Sequence, residues 1–251
     1  MNHITLLPNE RLDKVNENLT LIQKKDGLTF GTDAFLLASF IKNTAHKKGA
    51  ELGSGTGIIS LLLAQRNKLS KIYAIEIQKD FADLTHRNAQ LNNLHEKITT
   101  LNANVTDIKA ADVDGELDVV FTNPPYMKTD SGKRNESDAK YIARHEVCGD
   151  IDDFCKAGFR LLKHGGKFYV VWRPDRICDL FYALRANRLE PKIITFVHAD
   201  TQSDPSIVLV SATKGGASGA IVNSPLILYN DFAHKEMSER ASKIYNTLSF
   251  D

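Results

Sequence analysis

The feature that most constrains this chain is a regular alternation of short apolar segments and helical patterns through its middle. We predict strands at residues 49–52, 71–77, 98–101, 117–122, 166–172, 190–197 and 206–212. We predict helices at residues 58–66, 79–91, 150–162 and 173–186. Strands that alternate with helices of this length indicate a parallel sheet that is covered by helices on both faces. We therefore expect an α/β fold.

The segments on either side of this pattern suggest three parts. Residues 1–30 are predicted to be an N-terminal extension with a hairpin around Asp26-Gly27. The main domain is predicted to span residues 31–213 and to open with a helix over 32–41, capped by Thr32 or Asp33. Residues 214–251 are expected to form a tail that packs on this domain, with a strand at 225–229 and a helix at 234–245. Residues 127–149 are polar and long enough to be a functional lid or a disordered loop.

Composition says more about the cellular compartment of the protein than about its activity. The net charge of +1 gives no global field for nucleic acid, so any such contact must be local. The three cysteines, Cys148, Cys155 and Cys178, lack metal-ligand spacing, and reduced thiols are expected. No signal peptide or membrane-spanning run is recognised in the sequence. We expect a cytoplasmic, monomeric protein whose chemistry needs no metal.

A glycine-rich turn follows the first predicted strand of the alternation. The segment Glu51-Leu-Gly-Ser-Gly-Thr-Gly57 lies between that strand and a helix, and its glycines permit positive φ and close approach of a ligand. Glu76 ends the next strand, where an acid can accept hydrogen bonds from ribose hydroxyls. This arrangement predicts a nucleotide-like cofactor, and the spacing from the glycines to Glu76 fits both NAD and S-adenosylmethionine.

Three features favour S-adenosylmethionine. An acid, Glu51, precedes the glycines, and the glycine spacing is Gly-x-Gly-x-Gly, not the Gly-x-Gly-x-x-Gly of dinucleotide-binding proteins. The third feature is the sequence that follows the strand at residues 117–122, which a hydride-transfer enzyme does not need.

That sequence is Asn123-Pro124-Pro125-Tyr126. Two consecutive prolines cannot continue a central strand, so a short, stiff turn must begin here. Asn123 offers a side-chain carbonyl acceptor, and the prolines restrict the directions of the Asn123 and Pro124 backbone carbonyls. Two acceptors and an aromatic ring on a rigid turn can hold a flat molecule by its amino group. The motif therefore favours methyl transfer to a planar nitrogen.

The glycine segment and the Asn-Pro-Pro-Tyr turn together resemble the class I S-adenosylmethionine-dependent methyltransferases that act on amino groups. The resemblance covers roughly residues 49–213. It implies a Rossmann-like, mostly parallel, seven-stranded sheet whose last strand is antiparallel, with helices on both faces, and S-adenosylmethionine as cofactor.

A narrower resemblance covers nearly the whole chain. Phe30-Gly-Thr-Asp-Ala-Phe-Leu-Leu-Ala-Ser-Phe40, the Asn-Pro-Pro-Tyr turn and Ala143-Arg-His-Glu146 together resemble the bacterial tRNA1(Val) adenine-37 N6-methyltransferase family. It implies a tRNA substrate and the catalytic residues Asn123, Pro124, Pro125 and Tyr126. The cofactor residues expected from the motifs are Thr32, Asp33, Glu51, Gly53, Ser54, Gly55, Thr56, Gly57, Glu76, Asn104 and Asn123.

The match to the family departs at several positions. Ser54 stands where relatives often have cysteine, and Glu51 stands where many methyltransferases have aspartate. Asn104 falls near the position of an aspartate that often meets the cofactor adenine, and Asp107 is the competing choice. These departures leave the adenine contact open between Asn104 and Asp107.

In the mechanism that the motifs predict, Asn123 Oδ1 and the Pro124 carbonyl accept the two protons of the adenine N6 group, and Tyr126 stacks on the base. RNA contacts are expected from Lys24, Lys25, Lys128, Lys133, Arg134 and Arg144. Protein-glutamine N5-methyltransferases share the turn, so that activity stays open, as does guanine N2 methylation of rRNA. An inactive methyltransferase-like RNA-binding module is the non-enzymatic alternative.

Overall fold

The computed structural model describes residues 5–25, 31–124 and 149–250. The strands are β1 Glu10–Asn16, β2 Leu19–Lys24, β3 Lys48–Leu52, β4 Lys71–Glu76, β5 Ile98–Asn102, β6 Leu117–Thr122, β7 Leu162–Trp172, β8 Leu189–His198, β9 Pro205–Lys214, β10 Ile221–Val222 and β11 Leu226–Ile227. The α-helices are α1 Thr32–Phe40, α2 Ile58–Gln65, α3 Lys79–Leu91, α4 Ile151–Leu161, α5 Ile177–Ala186 and α6 Glu239–Thr247.

Within the described residues, strands β3 to β11 form one sheet. Its order is β10-β8-β9-β7-β6-β3-β4-β5, and β11 also pairs with β8. Strands β3 to β7 pair in parallel, whereas β9 is antiparallel to both of its neighbours, β7 and β8. The expected α/β fold with an antiparallel last main strand is confirmed. The sheet is wider than the seven strands expected, because the two-residue strands β10 and β11 from the tail extend its edge beside β8.

The strand order explains where a ligand can bind. From β3 the chain first builds β4 and β5 on one side, and then returns to place β6 and β7 on the other side. Parallel strands of this kind are joined by helices, and α2 and α3 connect β3, β4 and β5. The point where the order reverses lies between β3 and β6. In open α/β sheets, ligands bind at such a switch point, outside the carboxyl ends of the strands.

Helices cover both faces of the sheet, as expected for buried parallel strands. One apolar cluster joins α1, α2 and α6 to one face, with Leu37, Leu62 and Ile244 among its buried members. A second cluster joins α4 and α5 to the opposite face, with Phe154 and Leu184 fully buried. Because the two helical layers cover the faces of the sheet, the carboxyl ends of its strands form a rim between the layers.

The N-terminal segment contains a hairpin that the sequence analysis did not predict. Its strands are β1 and β2, with Asn16 opposite Leu19, so the turn lies at residues 17–18. Strand β1 was missed because its sequence is mostly polar and gives only weak apolar alternation. The predicted turn at Asp26-Gly27 lies outside the described residues.

The tail also differs in detail. Its helix, α6, begins at Glu239, later than predicted, because the Ser238 side chain caps it by accepting a hydrogen bond from the Ala241 N–H. The predicted strand at residues 225–229 is reduced to β11 and an isolated bridge at Tyr229. The buried Lys68 Nζ donates to the Leu248 carbonyl at 2.9 Å, so the tail is bonded to the main sheet domain. The three-part division of the chain stays a prediction.

Helix α1 begins where expected, but its cap is different. Gly31 is the N-cap residue and no side chain caps the helix, so neither Thr32 nor Asp33 has the predicted capping role. Helix α4 matches the helix predicted at residues 150–162, and the Asp150 carboxylate caps it by accepting a hydrogen bond from the Asp153 N–H. The Asp33 side chain instead contacts Asn123.

Candidate functional site

The glycine turn at residues 53–57 leaves β3 and enters α2 at the switch point. The N–H groups of Gly53 and Ser54 both donate to the Ile75 carbonyl of β4, which ties the turn to the neighbouring strand. Gly55 has φ +56, and a Cβ placed there would have no atom within 4 Å. The backbone at Gly55 therefore borders open space, into which a ligand can approach without meeting a side chain.

Glu76 lies against the same turn. Its Oε2 accepts a hydrogen bond from the Gly55 N–H at 2.9 Å, and its Oε1 accepts one from the Gln78 N–H at 2.9 Å. The side chain is nearly buried, and this burial raises the pKa of Glu76, while the bonds from Gln78 and Gly55 act in the opposite direction. Glu76 and the glycine turn are therefore joined by a direct hydrogen bond.

Glu51 is buried below the turn. Its Oε2 accepts a hydrogen bond from the Ser60 N–H at 3.0 Å and another from the Ser60 hydroxyl. Burial raises the pKa of Glu51 to about 8, and repulsion from Glu76 adds to this rise. Glu51 thus holds the first turn of α2, and the bonded oxygen faces the helix.

Two further residues support the turn and were missed by the sequence analysis. Thr85 Oγ1 donates to the Gly55 carbonyl at 2.8 Å, and Asn88 Nδ2 donates to the Thr56 carbonyl at 3.0 Å. Both side chains are fully buried on α3, the helix that follows Glu76. Polar residues three apart within the apolar stripe of α3 were the available signal. They indicate that α3 holds the turn by its carbonyl groups.

Asn123 lies at the end of β6, on the other side of the switch point. The preceding residue, Thr122, donates its hydroxyl to the Leu52 carbonyl at 2.8 Å, which joins the ends of β6 and β3. Asn123 Nδ2 donates to Asp33 Oδ2 at 2.8 Å. Pro124 is buried. Pro125 and Tyr126 lie outside the described residues, as do Ala143–Glu146.

Asn104 lies in the turn after β5. Its Oδ1 accepts a hydrogen bond from the Thr106 N–H at 3.0 Å, while the exposed Asp107 accepts one from the Thr106 hydroxyl at 3.0 Å. Asn102, at the end of β5, donates to the carbonyls of Glu76 and Ile77, both at 2.9 Å. Asn102 is thus a third supporting residue that the sequence analysis missed, and it links the end of β5 to Glu76.

The strand order places these residues along a single rim. The neighbours β6, β3, β4 and β5 end at the same edge, and there they carry Asn123, the glycine turn, Glu76 and the Asn104 turn respectively. We call the turn with Glu76 the glycine-turn side, and Asp33 with Asn123 and Pro124 the Asn123 side. The described residues contain no cluster of three or more His, Cys, Asp or Glu side chains suited to a metal ion.

Comparison with known proteins identifies the family to which this chain belongs. The model of the methyltransferase small domain family matches residues 23–180, which include both sides of the site. The chain belongs to this family. A crystal structure of a predicted O-methyltransferase from Agrobacterium tumefaciens superposes with a TM-score of 0.70 at 23% identity, covering 87% of this chain and 97% of that one. The likeness to this structure establishes the class I methyltransferase fold.

Curated relatives of this chain carry a more specific name. A protein of Dyadobacter fermentans named tRNA1(Val) (adenine(37)-N6)-methyltransferase is 30% identical over 159 residues, 63% of this chain and 64% of the relative. A protein of Phocaeicola vulgatus with the same name is 29% identical over 195 residues, 78% of this chain and 81% of the relative. The match to the Dyadobacter relative thus spans less than two thirds of its length.

Proposed function

We propose that this chain transfers the methyl group of S-adenosylmethionine to the N6 amino group of an adenine in tRNA, adenine 37 beside the anticodon. The observation that carries the proposal is the meeting of the glycine turn, Glu76 and Asn123 at the switch point of the sheet. The choice of adenine in tRNA draws on the names of the relatives.

The residues on the glycine-turn side suit S-adenosylmethionine. Gly55 borders open space, and the Glu76 carboxylate beside it is an acceptor for ribose hydroxyls. Asn104 can bond the adenine, whereas Glu51 acts indirectly by fixing the start of α2. Thr56 and Ser54 contribute through the turn in which they lie. When bound, the cofactor supplies a methyl group already activated on a sulfonium centre.

On the Asn123 side, the chain must hold a weakly nucleophilic amino group. The N6 lone pair is delocalised into the adenine ring. Asn123 Oδ1 and the Pro124 carbonyl accept the two N6 protons, which orients the nitrogen and helps to localise its lone pair toward the methyl carbon. The alkylated nitrogen is strongly acidic and releases one proton to water. No strong general base is required.

The adenine must leave its stack to enter this site. Tyr126 is proposed to stack on the base, by resemblance, and lies outside the described residues. Of the six predicted RNA contacts, Lys24 pairs with Asp80 at 3.0 Å and Lys25 Nζ donates to the Pro8 carbonyl at 2.9 Å. Both lysines lie on the hairpin next to α3, and the other four are outside the described residues.

Among the helices in the described ranges, none has the length and apolar character of a membrane span. We place the enzyme in the cytoplasm, because that is where a tRNA substrate is found.

The direct test supplies the purified protein with methyl-labelled S-adenosylmethionine and three acceptors: tRNA from cells that lack this gene, rRNA and release factors. We expect label in tRNA as N6-methyladenosine, identified by nucleoside mass spectrometry, and ~10²–10³-fold slower labelling with Asn123→Ala. Binding to tRNA should weaken steeply with salt, because phosphate contacts release counterions. Label in a release-factor glutamine or in rRNA guanine, with none in tRNA, would reject the proposed acceptor while keeping the cofactor.

A further inference from the structure

The contact between Asp33 and Asn123 joins two residues that lie 90 positions apart in the chain. Asn123 Nδ2 donates to Asp33 Oδ2 at 2.8 Å. We propose that Asp33 is a positioning residue, which orients the Asn123 side-chain amide so that its carbonyl oxygen is presented to the acceptor amino group. The proposal rests on the proposed function for the role of that oxygen.

The chemistry of the two groups fixes the orientation. A side-chain amide has a donor end and an acceptor end, and the two orientations differ by a flip about χ2. An ionised carboxylate only accepts hydrogen bonds, so the amide nitrogen must face Asp33. The flipped orientation would put two oxygen atoms at hydrogen-bonding distance without a proton between them. The bond to Asp33 therefore directs the Asn123 carbonyl oxygen away from Asp33.

Asp33 is itself held in place. Its Oδ1 accepts a hydrogen bond from the Ala34 N–H at 3.0 Å, in the first turn of α1. Helix α1 is buried on most sides, and the Phe35 ring stacks on Tyr245 of α6, with centroids 5.5 Å apart and an interplanar angle of 23°. Since Gly31 is the N-cap residue, Asp33 does not cap the helix. The carboxylate is thus fixed by a packed helix and can serve as a rigid acceptor for Asn123.

The sequence motif predicts a different role for Asp33, as a direct cofactor contact. The two roles give different results in a double-mutant cycle of Asp33→Ala and Asn123→Ala. If Asp33 acts through Asn123, Asp33→Ala should lower kcat by ~10–100-fold, as expected for losing a charge-assisted hydrogen bond. It should leave the Kd of S-adenosylmethionine nearly unchanged and cause no further loss in the Asn123→Ala background. A direct cofactor contact would instead raise that Kd equally in both backgrounds.

Two further variants sharpen the test. Asp33→Asn keeps an acceptor oxygen but can also turn its NH2 toward Asn123, so it should recover part of the rate lost in Asp33→Ala. It also serves if Asp33→Ala does not fold. Asp179→Ala is the matched control, because Asp179 is an acid in the first turn of another helix, α5, and bonds Arg176 on the surface. Asp179→Ala should behave like the wild type.

A readout without substrate separates this proposal from the proposed function. In NMR spectra, the Asn123 side-chain NH2 signals are identified by their loss in Asn123→Ala. We expect one proton to be protected from exchange in the wild type and in Asp179→Ala, and to lose that protection in Asp33→Ala. Unchanged Asn123 signals in Asp33→Ala, or independent effects of the two substitutions on kcat, would overturn the proposal. A protein that fails to methylate tRNA but shows the Asp33-dependent protection would reject only the proposed acceptor.

Discussion

The two sides of the site are built in different ways. On the glycine-turn side, the bonds that matter join residues close in sequence, with Glu76 and Gly55 separated by 21 positions and Glu51 and Ser60 by 9. On the Asn123 side, the bond from Asn123 reaches back 90 positions to Asp33, and the helix that carries Asp33 packs on the tail. One side is built from consecutive elements of the chain, β3, α2, β4 and α3, whereas the other requires that α1 and the end of β6 be brought together.

The two sides also differ in the polar groups that they present. The glycine-turn side holds two acidic side chains, Glu51 and Glu76, whose pKa values are both raised by burial. The Asn123 side presents a neutral amide that is oriented by one acid. This difference suits a charged, hydroxyl-rich cofactor on one side and a neutral amino group on the other. Substitutions on the two sides should therefore separate affinity for the cofactor from the rate of methyl transfer.

The largest effect is expected from Asn123→Ala. Loss of a preorganised group that acts on the reacting atoms should lower kcat by ~10²–10³-fold. The Kd of S-adenosylmethionine should change little, because the glycine-turn side is intact. Single-turnover kinetics and calorimetry measure the two quantities, with the exposed Asn246→Ala as a control. Near-wild-type turnover by Asn123→Ala at saturating cofactor would show that the Asn123 side does not set the rate of methyl transfer.

The reverse pattern is expected for Glu76→Ala. Loss of charge-assisted hydrogen bonds to the ribose should weaken binding of S-adenosylmethionine by about 1.5–3 kcal/mol, or ~10–150-fold in Kd. The rate at saturating cofactor should fall less than the affinity. Calorimetry measures the Kd, Glu76→Gln should be intermediate, and the exposed Glu96→Gln is the control. Unchanged affinity in a folded Glu76→Ala protein would contradict the assignment of this side to the cofactor.

The substitutions Gly55→Ala and Gly57→Ala should separate an effect on ligand binding from an effect on stability. Both Gly55 and Gly57 have positive φ, which costs an L-residue ~1–2 kcal/mol. A Cβ at Gly57 would also lie 2.8 Å from Thr85 Cγ2, whereas a Cβ at Gly55 would point into open space. Gly57→Ala should therefore lower the free energy of unfolding more than Gly55→Ala does. Gly55→Ala should show the larger loss of affinity for S-adenosylmethionine relative to its loss of stability.

Urea denaturation and calorimetry on both variants measure these quantities. Thr85→Ser keeps the hydroxyl bond to Gly55 and removes the carbon nearest to Gly57, so it should restore part of the stability of Gly57→Ala. If the two alanine variants lose stability and affinity in the same proportion, the open space at Gly55 is not the cofactor site.

The smallest effect on methyl transfer is expected from Glu51→Gln, because Glu51 acts only by fixing the start of α2, and its effect on stability should depend on pH. The folded-state pKa of Glu51 is raised to about 8, above its ordinary value of 4.5, so between these values the folded protein holds a proton that the unfolded chain has released. This group then lowers wild-type stability as pH rises, by up to about 1.4 kcal/mol per pH unit. Relative to the wild type, Glu51→Gln should gain stability from pH 4.5 to 8.

Urea unfolding at several pH values measures this change, with Glu96→Gln as a control for an exposed acid. A stability difference between Glu51→Gln and wild type that stays constant over this pH range would mean that Glu51 is not held in the protonated form by burial.

Much of the architecture follows from local patterns. The alternation of apolar strands and amphipathic helices predicts a parallel sheet with two helical layers, because each element must bury one face or both. The prolines after Asn123 end β6, and the glycines at residues 53–57 permit the backbone of the turn that leaves β3. Backbone sterics and burial act over a few residues, so the sequence by itself determined these elements and the rim to which they lead.

The remaining features depend on which elements meet. The hairpin turn at residues 17–18 follows from the pairing of β1 with β2, and the buried Thr85 and Asn88 have a role only because α3 packs on the glycine turn. Asp33 resembles a helix cap in the sequence, yet its Oδ2 bonds Asn123 because the sheet brings the end of β6 beside α1. A hydrogen bond between distant residues depends on the relative placement of whole elements, and only the tertiary structure decided that placement.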